Sequence, residues 1–67
     1  MITEIGIVAG EIWHFLDKHN KSSRLEDIRN GIERSRDLVL MSIGWLAREG
    51  YVVLEGQEPN YNVSLRN

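Results

Sequence analysis

Two histidines, His14 and His19, are the side chains of this chain best suited to acid–base or metal chemistry. They are five residues apart, so on a helix they would not share a face as two metal ligands spaced four apart do. The sequence has no cysteine, and it lacks a glycine-rich phosphate loop, a nucleophile elbow and a paired-histidine zinc motif. We therefore expect no catalytic residues, no metal site and no cofactor, with both histidines partly exposed near the end of a helix.

Basic side chains are concentrated between residues 17 and 36, which hold six basic groups against four acids. Such side chains can contact DNA phosphates, and an arginine at the start of a recognition helix can pair with guanine. The alternative is that they are ordinary solvated charges, and the net charge of −2 counts against a purely electrostatic hold on DNA. The residues that we expect to contact nucleic acid, with Arg36 placed for the guanine, are Lys21, Arg24, Arg29, Arg34, Ser35 and Arg36.

The stretch from Ser35 to Gly50 predicts a capped helix. The Ser35 hydroxyl can accept a hydrogen bond from the first turn, and Gly50 can take the left-handed conformation that ends a helix. Apolar residues at three- and four-residue spacings predict that one side of this helix is buried. That side consists of Val39, Ile43, Leu46 and Ala47.

The opposite side of the same helix is also apolar. With Val39 at zero and about 100° per residue, Leu38, Met41 and Trp45 fall at roughly 200° to 260°. A DNA-reading helix should be polar there, so these three residues, with Trp13 on the first helix, predict a protein interface. Two alternatives stay open: Trp45 folds back against a tyrosine of the strands that follow, or the stripe takes part in DNA binding.

The remaining elements are two earlier helices and a later hairpin. The first helix runs from Ile2 to about His19, and Ser23 with Glu26 forms a capping box that predicts the start of a second helix. Few residues separate the second helix from the third, which is the spacing of a helix-turn-helix. Strands at 51–55 and 61–65 flank a turn rich in helix and strand breakers, and we allow for a short strand around 22–23. The hairpin is acidic, which is the wrong sign for phosphates.

Two separated sequence motifs resemble those of a known fold. They read IGIVAGEIW at 5–13 and IGWLAREG at 43–50. With the order helix, helix, helix, strand, turn, strand, they make the chain similar to the winged helix-turn-helix superfamily, and in particular to short bacterial winged-helix proteins of uncharacterised function. The resemblance implies an α+β fold and a DNA-binding, transcription-regulator type of module. The chain departs from the usual pattern at Arg34, because winged helices often carry an apolar residue just before the cap of the third helix.

Length and composition limit the rest. The 67 residues predict one domain spanning 1–67, and a chain this short buries only about 60% of its unfolded surface. Association is the usual remedy for a marginal core, so we expect a homodimer. No long apolar run or leader pattern is present, so we expect a cytoplasmic protein without a membrane segment. The leading functional hypothesis, which the resemblance implies, is a module that binds double-stranded DNA. The alternative is a winged helix used for protein interaction or homodimerisation without DNA binding.

Overall fold

The computed structural model describes residues 2–66 and contains three helices and three strands in that range. The fold is α+β, with the predicted helices, the predicted hairpin, which we call the wing, and a short strand between the first two helices. The elements in chain order are α1 (Ile2–Lys18), β1 (Ser22–Arg24), α2 (Leu25–Gly31), α3 (Arg36–Arg48), β2 (Val52–Glu55) and β3 (Asn62–Leu65).

The three strands form one antiparallel sheet in the order β1-β3-β2. In the register, Val63 of β3 lies opposite both Ser23 of β1 and Leu54 of β2. A further hydrogen bond from the backbone N–H of Leu65 to the carbonyl of Lys21, 2.8 Å long, extends this pairing. The wing is therefore fixed to the segment that follows α1.

The core lies between α1, α3 and the inner side of the sheet. Its fully buried members recur at helical spacing on α1, and the stripe predicted on α3 faces them, as expected for two amphipathic helices. Ile28 of α2 and the wing residues Val52 and Val63 close the core on the other sides. The buried apolar positions on α1 and α3 are Val8, Ala9, Ile12, Leu16, Val39, Ile43 and Leu46.

The start of α2 differs from the predicted capping box. Ser23 belongs to β1, the helix begins at Leu25, and the cap residue Arg24 makes no side-chain capping bond. The N–H of Leu25 donates instead to the carbonyl of Tyr61, at 3.0 Å. The prediction was wrong because pairing with β3 holds Ser23 in a strand.

The last residue of α2, Gly31, packs closely against α1. A Cβ added to Gly31 would clash with the Phe15 ring, so a larger residue there would force that ring to move. Ile32 follows in an extended conformation and is buried. Residues 32–35 then connect α2 to α3, which gives the helix-turn-helix its short turn.

Both ends of α3 are formed as predicted. The Ser35 hydroxyl accepts a hydrogen bond from the N–H of Leu38, at 3.2 Å. At the other end Gly50 has φ of 83°. The N–H of Gly50 donates to the Ala47 carbonyl and that of Tyr51 to the Leu46 carbonyl, at 3.1 and 2.9 Å. This pair of bonds is the Schellman motif, which turns the chain from α3 into β2.

Candidate interaction surfaces

The outward face of α3 is apolar between its two charged ends. Leu40, Met41 and Trp45 are 37%, 43% and 43% exposed, and Gly44 lies among them without a side chain. Reading base edges in the major groove requires several hydrogen-bonding side chains on this face. Apart from the indole N–H of Trp45, these residues offer none. Direct base readout by the middle of α3 is therefore disfavoured.

A shallow groove of about 260 Å³ lies where α1 meets the C-terminal half of α3. Trp13 stands on its α1 side, while Trp45 and Tyr51 stand on the other, stacked with their ring centroids 6.1 Å apart. All three aromatic side chains stay partly exposed, at 38%, 43% and 51%. We call this surface the aromatic groove, and it is lined by Gly6, Ala9, Gly10, Trp13, Trp45, Leu46 and Tyr51.

Two glycines on α1 keep the groove open. A Cβ built on Gly6 or on Gly10 would meet nothing within 4 Å. The two positions are four residues apart and therefore share one face of the helix with Trp13, which follows three residues later. Sequence reasoning did not identify Gly6, Gly10 or Tyr51 as site residues. The signal that could have identified this face is the spacing of the two glycines from Trp13, within the segment IGIVAGEIW at 5–13.

The four residues of the predicted protein interface do not have the same environment. Met41, Trp45 and Trp13 are exposed, whereas Leu38 is partly buried and packs against the core. The alternative in which Trp45 folds back against a wing tyrosine holds in part, because Trp45 stacks on Tyr51. The stacking leaves both rings about half exposed, so contacts within the chain do not complete this surface.

Arg34 is held by α1. Its guanidinium donates two hydrogen bonds to the Glu11 carboxylate, at 3.0 and 2.6 Å. The hydrogen bond from Arg34 holds the pKa of Glu11 below its ordinary value, against the opposing effect of burial. Arg34 stands where winged helices often carry an apolar residue. Its two hydrogen bonds to Glu11 link the helix-turn-helix to α1.

Three of the other predicted DNA contacts also have bonds within the chain. The ammonium group of Lys21 lies 2.6 Å from an Asp17 carboxylate oxygen and lowers the pKa of that carboxyl, mainly through its hydrogen bond. The Arg24 guanidinium bonds to Asp27 at 3.2 Å. The Ser35 hydroxyl is engaged at the start of α3.

Arg29 and Arg36 make no ion pair in the part of the chain that the structure describes, residues 2–66. They line one cleft, between α2, the start of α3 and the wing turn. Two carboxylates, Glu26 and Glu58, line the same cleft. The six predicted residues therefore do not form a single unpaired basic patch, and the cations without a partner lie beside acids.

The histidines contact their neighbours on α1. The His19 ring is hydrogen-bonded through Nδ1 to the Phe15 carbonyl at 2.6 Å and is stacked on the Phe15 ring, with centroids 4.0 Å apart. His14 meets Trp13 edge-on. Between residues 2 and 66, no group of three or more potential metal ligands lies close together. In the same range, no helix is long and apolar enough to cross a membrane.

Comparison with known proteins gives a family and a distant relative. A family model described as a winged helix-turn-helix domain (DUF2582) matches residues 1–66. The uncharacterized protein MJ1608 of Methanocaldococcus jannaschii is 34% identical over 64 residues, which cover 94% of this chain and 91% of that protein. That organism is an archaeon, whereas the resemblance drawn from the sequence was to bacterial proteins. No solved structure matches the chain significantly.

Proposed function

The chain belongs to DUF2582, a family of winged helix-turn-helix domains, and on that premise we propose that it is a protein-interaction module that pairs with a second copy through the aromatic groove. A winged helix suggests a DNA-binding type of module, and this fold is typically non-enzymatic. One observation supports protein contact over DNA reading. The face of α3 that would enter the major groove carries Leu40, Met41 and Trp45, all of them exposed.

The shape of the groove favours a second copy as the partner. A two-fold dimer uses the same patch on both subunits, so that patch must contain both a protrusion and a recess. Here the Trp13 ring stands beside a recess that Gly6 and Gly10 leave open. In a two-fold pair, Trp13 of each copy enters the recess of the other.

The size of the chain is compatible with this pairing. A standard interface buries about 800 Å² on each partner. The accessible surface of the chain is 4766 Å², so such an interface would cover about a sixth of it. Tryptophan is prominent among residues whose truncation costs most of the binding energy, which makes Trp45 and Trp13 the expected anchors.

DNA binding remains the second candidate, supported by the fold and by the two arginines without ion pairs, Arg29 and Arg36. Both lie at the helix-turn-helix, where phosphate contacts are expected. A titration with mixed-sequence duplex DNA at low and at physiological salt tests it. Binding that weakens as the salt concentration rises would support phosphate contacts, whereas no binding at low salt would exclude this candidate.

Sedimentation equilibrium over a range of concentrations tests the main proposal. We expect a reversible species of twice the monomer mass of 7.7 kDa. Trp45→Ala should weaken association by about 30-fold, the effect of losing an anchor residue. Val53→Ala is the matched control, because Val53 is similarly exposed, at 40%, but lies on the wing outside the groove.

A protein that stays monomeric at high micromolar concentration would overturn the proposal. So would equal weakening by the two substitutions. Circular dichroism of each variant separates a loss of association from a loss of folding, since Trp45 also stacks on Tyr51.

Location in the cytoplasm stays a prediction.

A further inference from the structure

A second apolar recess lies on the opposite side of α3 from the aromatic groove, between that helix and the wing. Its inner part has a volume of about 180 Å³. Leu40 and Leu54 border it and remain 37% and 44% exposed, and a Cβ added to Gly44 would meet nothing within 4 Å. We call it the wing cleft, and its inner part is lined by Leu25, Leu40, Ile43, Gly44, Leu54, Tyr61 and Val63.

The mouth of the wing cleft carries both signs of charge. Arg29 and Arg36 line it together with Glu26 and Glu58. The inner part and the mouth share Leu25, Leu40 and Tyr61 among their lining residues, so they lie side by side at these three side chains.

The four charged groups of the mouth are not paired with one another. Within residues 2–66, none of them makes an ion pair. The nearby Arg24 hydrogen-bonds to Asp27, which is the main cause of its raised pKa, and the charge of Glu26 adds only to that effect. Cations and anions that stand at one opening without neutralising each other leave sites for a ligand that carries both charges. A purely anionic ligand would meet the two glutamates there, and a purely cationic one would meet the two arginines.

We propose that the wing cleft binds a free α-amino acid with a large apolar side chain, such as leucine or phenylalanine, as its zwitterion. The side chain occupies the inner part between Leu40 and Leu54. The carboxylate accepts hydrogen bonds from the arginines, and the ammonium group donates to the glutamates, which are charge-assisted contacts on both sides. A recess of about 180 Å³ is smaller than the roughly 300–1,000 Å³ of sites for drug-sized ligands, and it suits a single side chain.

The chemistry of the ligand can be tested by amide chemical-shift titration of the full chain with four probes. L-Leucine should shift the amides of Gly44 and Leu54 saturably. N-acetyl-leucine lacks the ammonium group and leucinamide lacks the carboxylate, so each should bind about tenfold more weakly. Alanine has the same charges but little to place in the inner part, and it should also bind more weakly.

Two substitutions locate the site. Arg36→Gln and Glu58→Gln each remove one charge from the mouth and should each weaken leucine binding by about tenfold. Arg48→Gln is the matched control, because it removes an exposed arginine from the far end of α3, outside the cleft. Trp45→Ala should leave leucine binding unchanged, so the outcome does not depend on the proposed dimer.

Three results would overturn the inference. The first is the absence of saturable shifts with leucine at millimolar concentration. The second is equal binding of leucine, N-acetyl-leucine and leucinamide, which would mean that the zwitterion is not recognised and that a peptide segment could occupy the cleft. The third is an equal loss of binding in Arg36→Gln and Arg48→Gln.

Discussion

The aromatic groove and the six predicted DNA contacts differ in how much of their chemistry is free to meet a partner. Four of the six already have bonds within the chain: the ion pairs of Lys21, Arg24 and Arg34, and the capping bond of Ser35. In the groove, Trp45 stacks on Tyr51 and Trp13 meets His14, but all three groove rings stay partly exposed. Within one chain, most of the residues predicted to contact DNA thus already have a bonding partner, whereas the apolar surface of the groove is uncovered.

This difference affects what each surface gains from a partner. Surface ion pairs are weak, so a DNA phosphate can replace the carboxylate that a basic side chain contacts. The ion pair that is lost then reduces the free energy gained on binding DNA. Removing apolar surface from water is favourable by a free energy of about 25 cal/mol per Å², and no bond has to break first. The comparison therefore favours association through the aromatic groove over DNA binding through the basic residues.

The largest expected effect is on the second anchor of the groove. Trp13→Ala should weaken self-association by about 30-fold, because the ring is the side chain that enters the recess of the other copy. The same sedimentation experiment measures it, again with Val53→Ala as the control. An unchanged association constant would mean that the two copies contact each other elsewhere on their surfaces.

A smaller effect is expected when the recess is filled. Gly10→Ala should raise the free energy of unfolding by up to about 1 kcal/mol, because alanine favours the helix and its methyl group meets nothing in the monomer. It should weaken association by about tenfold, because the methyl group occupies space that the partner needs.

Gly44→Ala is the matched control for this pair of effects. Gly44 also lies within a helix and has nothing within 4 Å of its missing Cβ, but it lines the wing cleft. It should stabilise α3 to a similar degree and leave association unchanged. Chemical denaturation and sedimentation of both variants measure the two quantities separately, and a dimer that tolerates Gly10→Ala would contradict close approach at α1.

The basic residues predict a shallow salt dependence for any DNA binding. With Arg29 and Arg36 as the contacts that lack an ion pair, the slope of log affinity against log salt should be no steeper than about −2. Arg36→Gln should make that slope shallower by about 1. The loss of DNA affinity between 50 and 200 mM salt should then be roughly threefold smaller than in the unaltered protein. A slope much steeper than this would show that paired cations exchange their carboxylates for phosphates.

The smallest effect concerns the pair that joins α1 to the helix-turn-helix. The pKa of Glu11 lies below its ordinary value because Arg34 donates hydrogen bonds to it. The stabilising contribution of this carboxylate is therefore fully present above the ordinary pKa and is lost as the pH falls through the lowered one. Arg34→Gln should move the Glu11 titration, followed by NMR of the carboxyl carbon, upward toward its ordinary value. A titration that does not move would mean that the pair does not persist in solution.

Local signals in the sequence were sufficient for α3 and the wing. Ser35 and Gly50 act on backbone groups within a few residues of themselves, and the buried stripe of α3 follows from spacing alone. The same reasoning failed at α2, where Ser23 has a good local capping pattern but pairs with Val63, forty residues away. A long-range strand pairing overrode the local preference there.

The candidate site was predicted less completely, for the same reason. Met41 and Trp45 could be placed on an outward face by periodicity, but the partner of Arg34 could not be found, since Glu11 lies 23 residues earlier on another helix. The recess at Gly6 and Gly10 also depends on how α1 packs against α3. Periodicity indicates which way a side chain points, and only the packing of helices shows what lies opposite it.

The most direct test of pairing through the aromatic groove is an isotope-filtered NOE experiment on a mixture of labelled and unlabelled copies. This experiment detects protons of one copy that lie close to protons of the other. We expect contacts between the ring protons of Trp13 or Trp45 in one copy and the α protons of Gly6 or Gly10 in the other. A dimer whose intermolecular contacts all involve the wing, or a protein that shows none, would contradict it.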